Sequence, residues 1–268
     1  MKTRTSVIIP AYNEKEYLDR CLSALAAQEL PVYEVIVVDN NTSDGSIEQA
    51  KTKHKGVKFI KEAEQGIVYA RNTGFDAASG DILVKLDADS IVKPDWHIDL
   101  LETIGSFDGW TGYVDNDELH PRMQPIVNAV FNFFTFQANK FVARSVVMFG
   151  SNMAIRAEAW KTIRAEVTMR NDIWEDLDMS LHLKRHKLHV AMSTYRSATI
   201  SARSANAPIK AFYKRTLGQP RVYLLHKRWF SLVFSIALVH IAFVFWLILK
   251  PLSFIGQSIS TRPRPEQY

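Results

Sequence analysis

Two aspartates one residue apart, Asp87 and Asp89, end the apolar stretch ILVKLDADS. Like charges this close repel each other, so the pair is stable only beside a positive group. Carboxylates at a strand end are suitable ligands for Mg²⁺ or Mn²⁺, which bind one or two carboxylates together with substrate phosphates. Such an ion also stabilises a departing diphosphate as a Lewis acid. The pair therefore predicts a divalent metal site that acts on a phosphate-bearing substrate.

A second group of acids lies far along the chain, in the stretch NDIWEDLDMS. Its members are Asp172, Glu175, Asp176 and Asp178. A carboxylate placed apart from the metal can take a proton from an attacking hydroxyl. Alternatively, these acids occupy the first turn of a helix, where the helix dipole favours negative charge. We favour the helix-dipole interpretation for Asp172 and Asp178.

Strands and helices alternate in the first half of the chain. The predicted strands are SVIIPAY, YEVIVVDN, VKFIKE and DILVKLDAD. The second is a run of β-branched residues without alternation, which is typical of a parallel strand covered on both faces. One helix is predicted from Glu14 to Gln28, another opens at TSDGSIEQAK, and a third covers IVYARNTGFDAAS and ends at Gly80. This order predicts an α/β domain with a mostly parallel sheet.

Polar residues follow the predicted strands, where ligands bind in such sheets. They are Asn13 and Glu14 after the first strand, 39–41 (Asp-Asn-Asn) after the second, and Asp87 and Asp89 after the fourth. Gathering acids in one crevice costs stability unless a ligand compensates their repulsion. A dinucleotide-binding Rossmann fold is disfavoured, because no G-x-G-x-x-G follows the first strand.

The carboxyl-terminal third of the chain is basic and then strongly apolar. From Met179 onward it holds fourteen of the 33 lysines and arginines but one of the 28 acids. Residues 229–249 carry no charge besides the titratable His240 and match the length of a membrane-crossing helix. Trp229 and Trp246 suit the two membrane interfaces. The alternative is a buried core helix.

The position of the basic residues bears on partners and location. Beside a membrane segment they favour lipid headgroups or phosphate rather than nucleic acid. They are denser before the segment than after it, which predicts that the larger domain faces the cytoplasm. The apolar part of the start, MKTRTSVIIP, is too short for a signal peptide.

Two further features concern packing. Cys21 lies at helical spacing with Leu18, Leu22 and Leu25, so we interpret this single cysteine as core, and it excludes an internal disulfide. The phenylalanine-rich segment 125–144 has apolar residues at helical spacing and leaves Asn132, Asn139 and Lys140 for a more polar side. Its pattern is consistent with an interfacial amphipathic helix or with a core helix that closes the sheet.

Five stretches in order resemble the landmarks of the family two glycosyltransferases, which have the GT-A nucleotide-sugar fold. They are VIIPAYNE, VIVVDNNTSDGS, ARNTGFDAASGDILVKLDADS, FGSNMAIRAEAW and WEDLDMSLHLKRH. The resemblance covers residues 4 to about 190. We therefore expect a GT-A catalytic domain over 1–205, a basic amphipathic connector over 206–228, a transmembrane helix over 229–249 and a tail over 250–268.

The resemblance implies a nucleoside pocket at the ends of the first two strands. Pro10, Ala11, Tyr12 and Glu14 correspond to residues that line this pocket in such enzymes. Asp39 corresponds to the residue that contacts the base.

The resemblance also implies roles for residues further along the chain. Arg71 and Asn72 correspond to residues near the nucleotide-binding crevice. Asp87 is expected near the ribose or the sugar, and Asp89 is the metal ligand of the family's DXD motif. Asp176 corresponds to the catalytic base of the inverting members.

The sequence departs from some subfamilies. GQPRVYLLHKRW holds the ingredients of the Gln-x-x-Arg-Trp motif of processive synthases at the wrong spacing, which argues against a processive enzyme. The stretch STYRSATISARS has no histidine for the diphosphate, so Arg196 or Arg203 is the candidate to neutralise it. His182, His186 and His189 have basic surroundings, which favour a solvated helix face over a metal site.

The expected protein is a membrane-associated, Mn²⁺- or Mg²⁺-dependent inverting glycosyltransferase. It would move a sugar from a nucleotide diphosphate sugar to a lipid-linked or cell-envelope glycan acceptor. One alternative is a polyprenyl-phosphate glycosyltransferase, whose phosphate acceptor needs no base. Another is a non-catalytic GT-A scaffold that binds glycan or nucleotide. A nucleotidyltransferase is disfavoured, because a glycine-rich signature near the first strand is missing.

Overall fold

The protein folds around one eight-stranded sheet. The computed structural model describes residues 3–116, 121–201, 203 and 207–253. In chain order the strands are β1 Thr5–Ala11, β2 Glu34–Asp39, β3 Lys58–Lys61, β4 Ile82–Leu86, β5 Ile91–Val92, β6 Gly109–Asn116, β7 Asn152–Arg156 and β8 Val190–Ile200. Their order across the sheet is β3-β2-β1-β4-β7-β6-β8-β5.

Helices cover the sheet and extend beyond it. They are α1 Leu18–Ala26, α2 Ser46–Lys53, α3 Ile67–Ala77, α4 Trp96–Ile104, α5 Gln124–Asn132, α6 Asn139–Ala143, α7 Ala157–Ile163, α8 Glu175–Arg185, α9 Ile209–Thr216, α10 Gly218–Leu225 and α11 Trp229–Ser253. A π-helix, Phe133–Ala138, joins α5 to α6.

The first four strands are mutually parallel, as predicted. β1 pairs with β2 on one side and with β4 on the other, and β3 pairs with β2. β7 then runs antiparallel to both β4 and β6. Because the carboxyl ends of β1, β2 and β4 meet at one edge, the residues that follow them share a crevice.

Apolar side chains fill both faces of this sheet. Val7 and Ile9 face one way and pack with α1, while Ile8 faces the other way and packs with Phe75 of α3. Cys21 is fully buried on the α1 side, which confirms its interpretation as a core residue. Burial also raises the pKa of its thiol well above the usual range, so Cys21 is unreactive.

Two predicted helix boundaries are wrong. α1 begins at Leu18 rather than Glu14, because the chain first makes a turn in which the Glu14 carbonyl accepts the Tyr17 and Leu18 amides. α3 ends at Ala77, before Gly80. Gly80 instead allows a close approach to β1, since an added Cβ would lie 2.8 Å from the Ser6 nitrogen.

The segment of α5, the π-helix and α6 exposes several large apolar side chains. Asn132 and Asn139 are buried against the protein, although the sequence placed them on a more polar side. Phe133 and Phe141 are 56% and 64% exposed. Phe136 and Val142 of the same segment are buried, so the segment packs one part of its apolar surface against the protein and exposes another part.

Helix α11 also turns small and polar side chains toward the protein and exposes large apolar ones. Ser231, Ser235 and Val239, four residues apart, form the stripe that faces the protein. The span Trp229–Ile248 is long and apolar enough to cross a membrane, and 17% of it is buried. A buried core helix is therefore the wrong interpretation of this segment. Small and polar residues at helix contacts with large apolar residues outside are typical of lipid-exposed helices.

α11 lies along the domain over much of its length. Near its start, the Ser231 hydroxyl donates to the Val142 carbonyl at 2.7 Å. Further on, the rings of Phe134 and Phe245 lie 5.6 Å apart. Trp246 stacks on Phe212 of α9 with ring centroids 4.0 Å apart. The apolar outer faces of α11 and of the α5–α6 segment are thus adjacent.

Candidate active site

The crevice at the strand ends holds a buried cluster of opposite charges around Asp89. The Arg203 guanidinium lies 2.9 Å from the Asp89 carboxylate and 2.8 Å from that of Glu14. The Ser201 hydroxyl also donates to Asp89. The Arg203 guanidinium stacks 4.1 Å above the Tyr17 ring. Residues after β1, β4 and β8 therefore meet here, as the sequence predicted for β1 and β4.

The oxygen donors of this cluster fit a hard divalent cation. Asp89 and Glu14 are buried carboxylates, and in this structure a positive guanidinium stands against both of them. A site already arranged to stabilise positive charge with carboxylate oxygens suits Mg²⁺ or Mn²⁺. Asp89 is the residue that would hold such an ion.

Asp87 belongs to a second cluster, around a buried lysine. The Lys85 ammonium lies 2.8 Å from the Asp87 carboxylate and 3.4 Å from that of Glu175. The Ser151 hydroxyl donates to the other Asp87 oxygen at 2.5 Å. Burial by itself opposes the charge on Lys85, but the facing carboxylates of Asp87 and Glu175 raise its pKa. Lys85 thus joins the end of β4 to the start of α8.

Asp176 lies at this junction. Its carboxylate accepts the Gly150 amide at 2.9 Å and the Leu177 amide at 2.7 Å. Burial, and then the negative charge of Glu175, raise the pKa of Asp176 to about 7. Gly150 permits the close approach, because an added Cβ would lie 2.7 Å from the Lys85 nitrogen. Asp87 of the first acidic group and Glu175 and Asp176 of the second therefore converge at one site.

The predicted nucleoside-pocket residues lie at the ends of β1 and β2. Ala11 is buried, whereas Pro10 and Tyr12 are partly exposed. The Asp39 carboxylate accepts the Thr42 amide at 2.9 Å, and the Thr42 hydroxyl donates to the Ala11 carbonyl. These bonds hold the two strand ends together, while the roles of Pro10, Ala11, Tyr12 and Asp39 toward a base stay predictions.

Arg71 and Asn72 lie inside the protein, on α3. Both are 1% exposed. Arg71 donates to the Glu175 carbonyl at 3.2 Å and to the Asn72 side-chain oxygen at 2.8 Å. The pair therefore supports the start of α8, and its expected place near the nucleotide stays a prediction.

Of the two arginines considered for the diphosphate, one reaches the crevice. Arg203 contacts Asp89, whereas Arg196 pairs with Asp115 on β6 at 2.9 Å.

The sequence analysis did not identify Lys85 and Ser151 as site residues. A lysine inside an otherwise apolar strand was the available signal for Lys85, because a buried ammonium requires carboxylate partners.

The acids and histidines around α8 partly depart from expectation. Asp172 precedes the helix and pairs with Arg170 at 2.7 Å, so its helix-dipole interpretation is wrong. Asp178 does stand in the first turn. His186 and His189 are exposed, as a solvated face requires. His182 is 5% exposed, so that interpretation is wrong for it.

The site thus consists of an α/β sheet whose edge carries the carboxylates of two motifs, joined through Lys85. A family model described as glycosyl transferase family 2 matches residues 6–163. The chain therefore belongs to glycosyl transferase family 2, as its motifs predicted.

Curated relatives match part of the chain. Glycosyltransferase AglE of Haloferax volcanii is 43% identical over 97 residues, which are 34% of this chain and 32% of that protein. Dolichol-phosphate mannosyltransferase of Pyrococcus furiosus is 40% identical over 106 residues, 38% of this chain and 30% of that protein. The chain thus matches about a third of the length of each.

Solved structures share the fold. The mannosyltransferase PcManGT of Pyrobaculum calidifontis, in complex with GDP-Man and Mn²⁺, aligns with a TM-score of 0.65 at 17% identity over 97% of this chain and 78% of that chain. Glucosyl-3-phosphoglycerate synthase of Mycobacterium tuberculosis, with Mn²⁺ and UDP, aligns with a TM-score of 0.58 at 16% identity over 82% and 79%. These likenesses confirm the predicted GT-A fold.

Proposed function

We propose that this glycosyltransferase performs a metal-dependent inverting transfer from a nucleotide diphosphate sugar to a lipid-linked or cell-envelope glycan acceptor. The observation that carries the proposal is the bridge of Lys85 between Asp87 and Glu175, next to Asp176. It brings a metal-binding strand end and a candidate base to one crevice. An inverting displacement requires these two groups on opposite sides of the anomeric carbon.

In the proposed reaction Asp176 takes the proton of the acceptor hydroxyl. The hydroxyl oxygen bonds to the anomeric carbon, and the bond from that carbon to the diphosphate oxygen breaks, so the diphosphate leaves with the electron pair. Mn²⁺ or Mg²⁺ at Asp89 would stabilise that leaving group as a Lewis acid. Arg203, which contacts Asp89 at 2.9 Å, adds positive charge on the same side.

A lipid-linked acceptor is supported by a groove between α6 and the start of α11. It has a volume of about 530 Å³ and is lined by Gln137, Lys140, Phe141, Arg144, Ser145 and Phe230. Two cationic side chains and two phenylalanines suit a phosphate headgroup with an attached hydrocarbon chain. Lys184 of α8 donates to the Ala143 and Arg144 carbonyls, which links this groove to the helix of Asp176.

We also propose that α11 and the outer face of α5–α6 enter the membrane together, with the catalytic domain on the cytoplasmic side. Support for the membrane comes from exposed Phe141, which lies beside Phe234 of the apolar helix α11. Support for the orientation comes from the lysines and arginines that precede α11. The division into a catalytic domain 1–205, a connector 206–228, a helix 229–249 and a tail 250–268 is part of this proposal, and residues 254–268 lie outside the described chain.

Donor and metal can be tested together. We expect one donor among UDP-, GDP- and TDP-sugars to release nucleotide diphosphate in native-like membranes only with Mn²⁺ or Mg²⁺. Asp89→Ala should lower this turnover by about 10²–10³-fold, since it removes a ligand that holds the charge at the leaving group. Asp81→Ala, at the opposite end of β4 and exposed in a pair with Arg4, is the matched control and should retain activity.

The donor experiment distinguishes a metal-dependent enzyme from a metal-independent one and from a non-catalytic scaffold. Full turnover with EDTA, or in Asp89→Ala, would reject the metal-dependent mechanism. Binding of one donor without turnover, in the presence of membrane lipids as acceptors, would favour the non-catalytic scaffold.

Contact with lipid can be tested with cysteine probes. The single native cysteine, Cys21, is fully buried, so an introduced cysteine can be labelled selectively. We expect brominated lipids to quench a fluorophore attached in Phe133→Cys and in Phe141→Cys. Tyr33→Cys is the matched control, because Tyr33 is 53% exposed at the opposite, amino-terminal end of the strands. Equal quenching at all three positions, or none at 133 and 141, would contradict a lipid-facing segment.

A further inference from the structure

We propose that Asp178, His182 and His226 bind a structural transition-metal ion of the Zn²⁺ type, which fastens the segment before α11 to helix α8. This site is distinct from the one at Asp89. It does not rest on the proposed transfer reaction.

The three side chains converge on one point. Both histidine Nε2 atoms approach the same Asp178 oxygen, His226 at 2.8 Å and His182 at 3.6 Å. All three ligand atoms lie within 4.8 Å of one another. In a tetrahedral zinc site with bonds of about 2.0–2.1 Å the ligand atoms are roughly 3.3 Å apart, so small side-chain shifts bring these three into range.

One nitrogen of the cluster is buried with only a long contact to its neighbour. His182 is 5% exposed, and its Nε2 atom lies 3.6 Å from the Asp178 carboxylate, beyond the usual hydrogen-bond distance. A buried polar atom with such a weak contact costs free energy unless something binds it more closely. An ion between His182, His226 and Asp178 would replace this long contact with a bond.

The surrounding groups hold these ligands in orientation. The Glu166 carboxylate lies 3.3 Å from His182 Nδ1, which leaves Nε2 directed at Asp178. The amide and the hydroxyl of Thr168 donate to Asp178 at 2.8 and 2.9 Å. A carboxylate hydrogen-bonded to the far nitrogen of a histidine is typical of metal-ligating histidines.

The types of ligand indicate which metal ion the site would prefer. Two imidazole nitrogens and one carboxylate favour Zn²⁺ or Co²⁺, whereas Mg²⁺ and Mn²⁺ prefer oxygen ligands such as Asp89.

The site also connects helix α8 to the segment that precedes α11. His226 stands between α10 and α11, and Asp178 follows Asp176 by two residues on α8. A bound ion would therefore fix the candidate base relative to the apolar helix.

The test is a titration of the metal-stripped full chain in detergent with Co²⁺ and then Zn²⁺. We expect one equivalent of Co²⁺ to give the visible absorption of a four-coordinate ion, with water as the fourth ligand beside the three side chains, and Zn²⁺ to displace it. His226→Gln and His182→Gln should abolish that absorption. Glu166→Gln should weaken binding by about 10–100-fold, because it removes the group that orients His182.

Two controls separate this site from others. His189→Gln alters an exposed histidine outside the cluster and should bind Co²⁺ as the unaltered chain does. Asp89→Ala should also bind one equivalent of Co²⁺, although the same substitution is expected to lower glycosyl transfer. The proposal is overturned if the unaltered chain gives no such absorption, which would leave a hydrogen-bonded cluster only. It is equally overturned if Asp89→Ala removes the bound ion.

Discussion

Asp176→Asn is expected to lower glycosyl transfer by about 10²–10⁴-fold, the usual contribution of a general base. Asparagine has the same shape, and its single oxygen can keep either the Gly150 or the Leu177 amide, so the change costs one of the two backbone hydrogen bonds. It also loses the ability to take a proton. Turnover of the donor found above, together with the affinity for its nucleotide diphosphate and Mn²⁺, measures the effect. We expect the affinity to stay unchanged while turnover falls.

The matched control is Asp172→Asn. Asp172 is an exposed acid close by in the sequence, held by Arg170 outside the cluster of Lys85, and its replacement should leave turnover unchanged. If Asp176→Asn retained activity, the acceptor would be one that needs no base. The polyprenyl-phosphate alternative would then be favoured.

Lys85→Met is expected to destabilise the protein by about 3–5 kcal/mol, the usual result of removing one partner of a buried ion pair. Methionine has nearly the same length, so the change removes charge rather than volume. Asp87 and Glu175, at 2.8 and 3.4 Å from the ammonium, would then face each other without compensation. Urea unfolding of the full chain in detergent measures the loss of free energy.

Lys161→Met is the control for this change. Lys161 pairs with Glu158 on the surface with its side chain 70% exposed, and we expect a change within about 0.5 kcal/mol. The double variant Lys85→Met with Asp87→Asn should recover part of the lost stability, because it removes one of the uncompensated charges. A Lys85→Met protein as stable as the unaltered chain would show that Lys85 does not hold the two acidic groups together.

The parallel strands were predictable because their signals are local. A run such as YEVIVVDN indicates a buried parallel strand wherever it occurs, and ordered motifs identified the family before any contact was known. The ends of helices were less predictable. Gly80 is suited to a helix end but is required for contact with Ser6, which lies far away in the sequence.

Partners of polar residues depended on the tertiary structure. Asn132 and Asn139 belong to a polar stripe in the sequence, yet they are buried against the protein, whereas Phe133 and Phe141 are exposed and Phe141 lies beside Phe234 of α11. Helical periodicity separates two faces but does not state which one is outside. Only the neighbouring α11 decides that.

The sequence by itself determined the α/β fold, the family and the candidate carboxylates Asp87, Asp89 and Asp176, since each depends on residues adjacent along the chain. Only the tertiary structure decided that Lys85 joins the two acidic motifs, that Arg203 stands at Asp89, and that His182 meets His226. The physical reason is that a buried charge is stable only beside an opposite charge or a ligand, and folding brings those partners from distant parts of the chain.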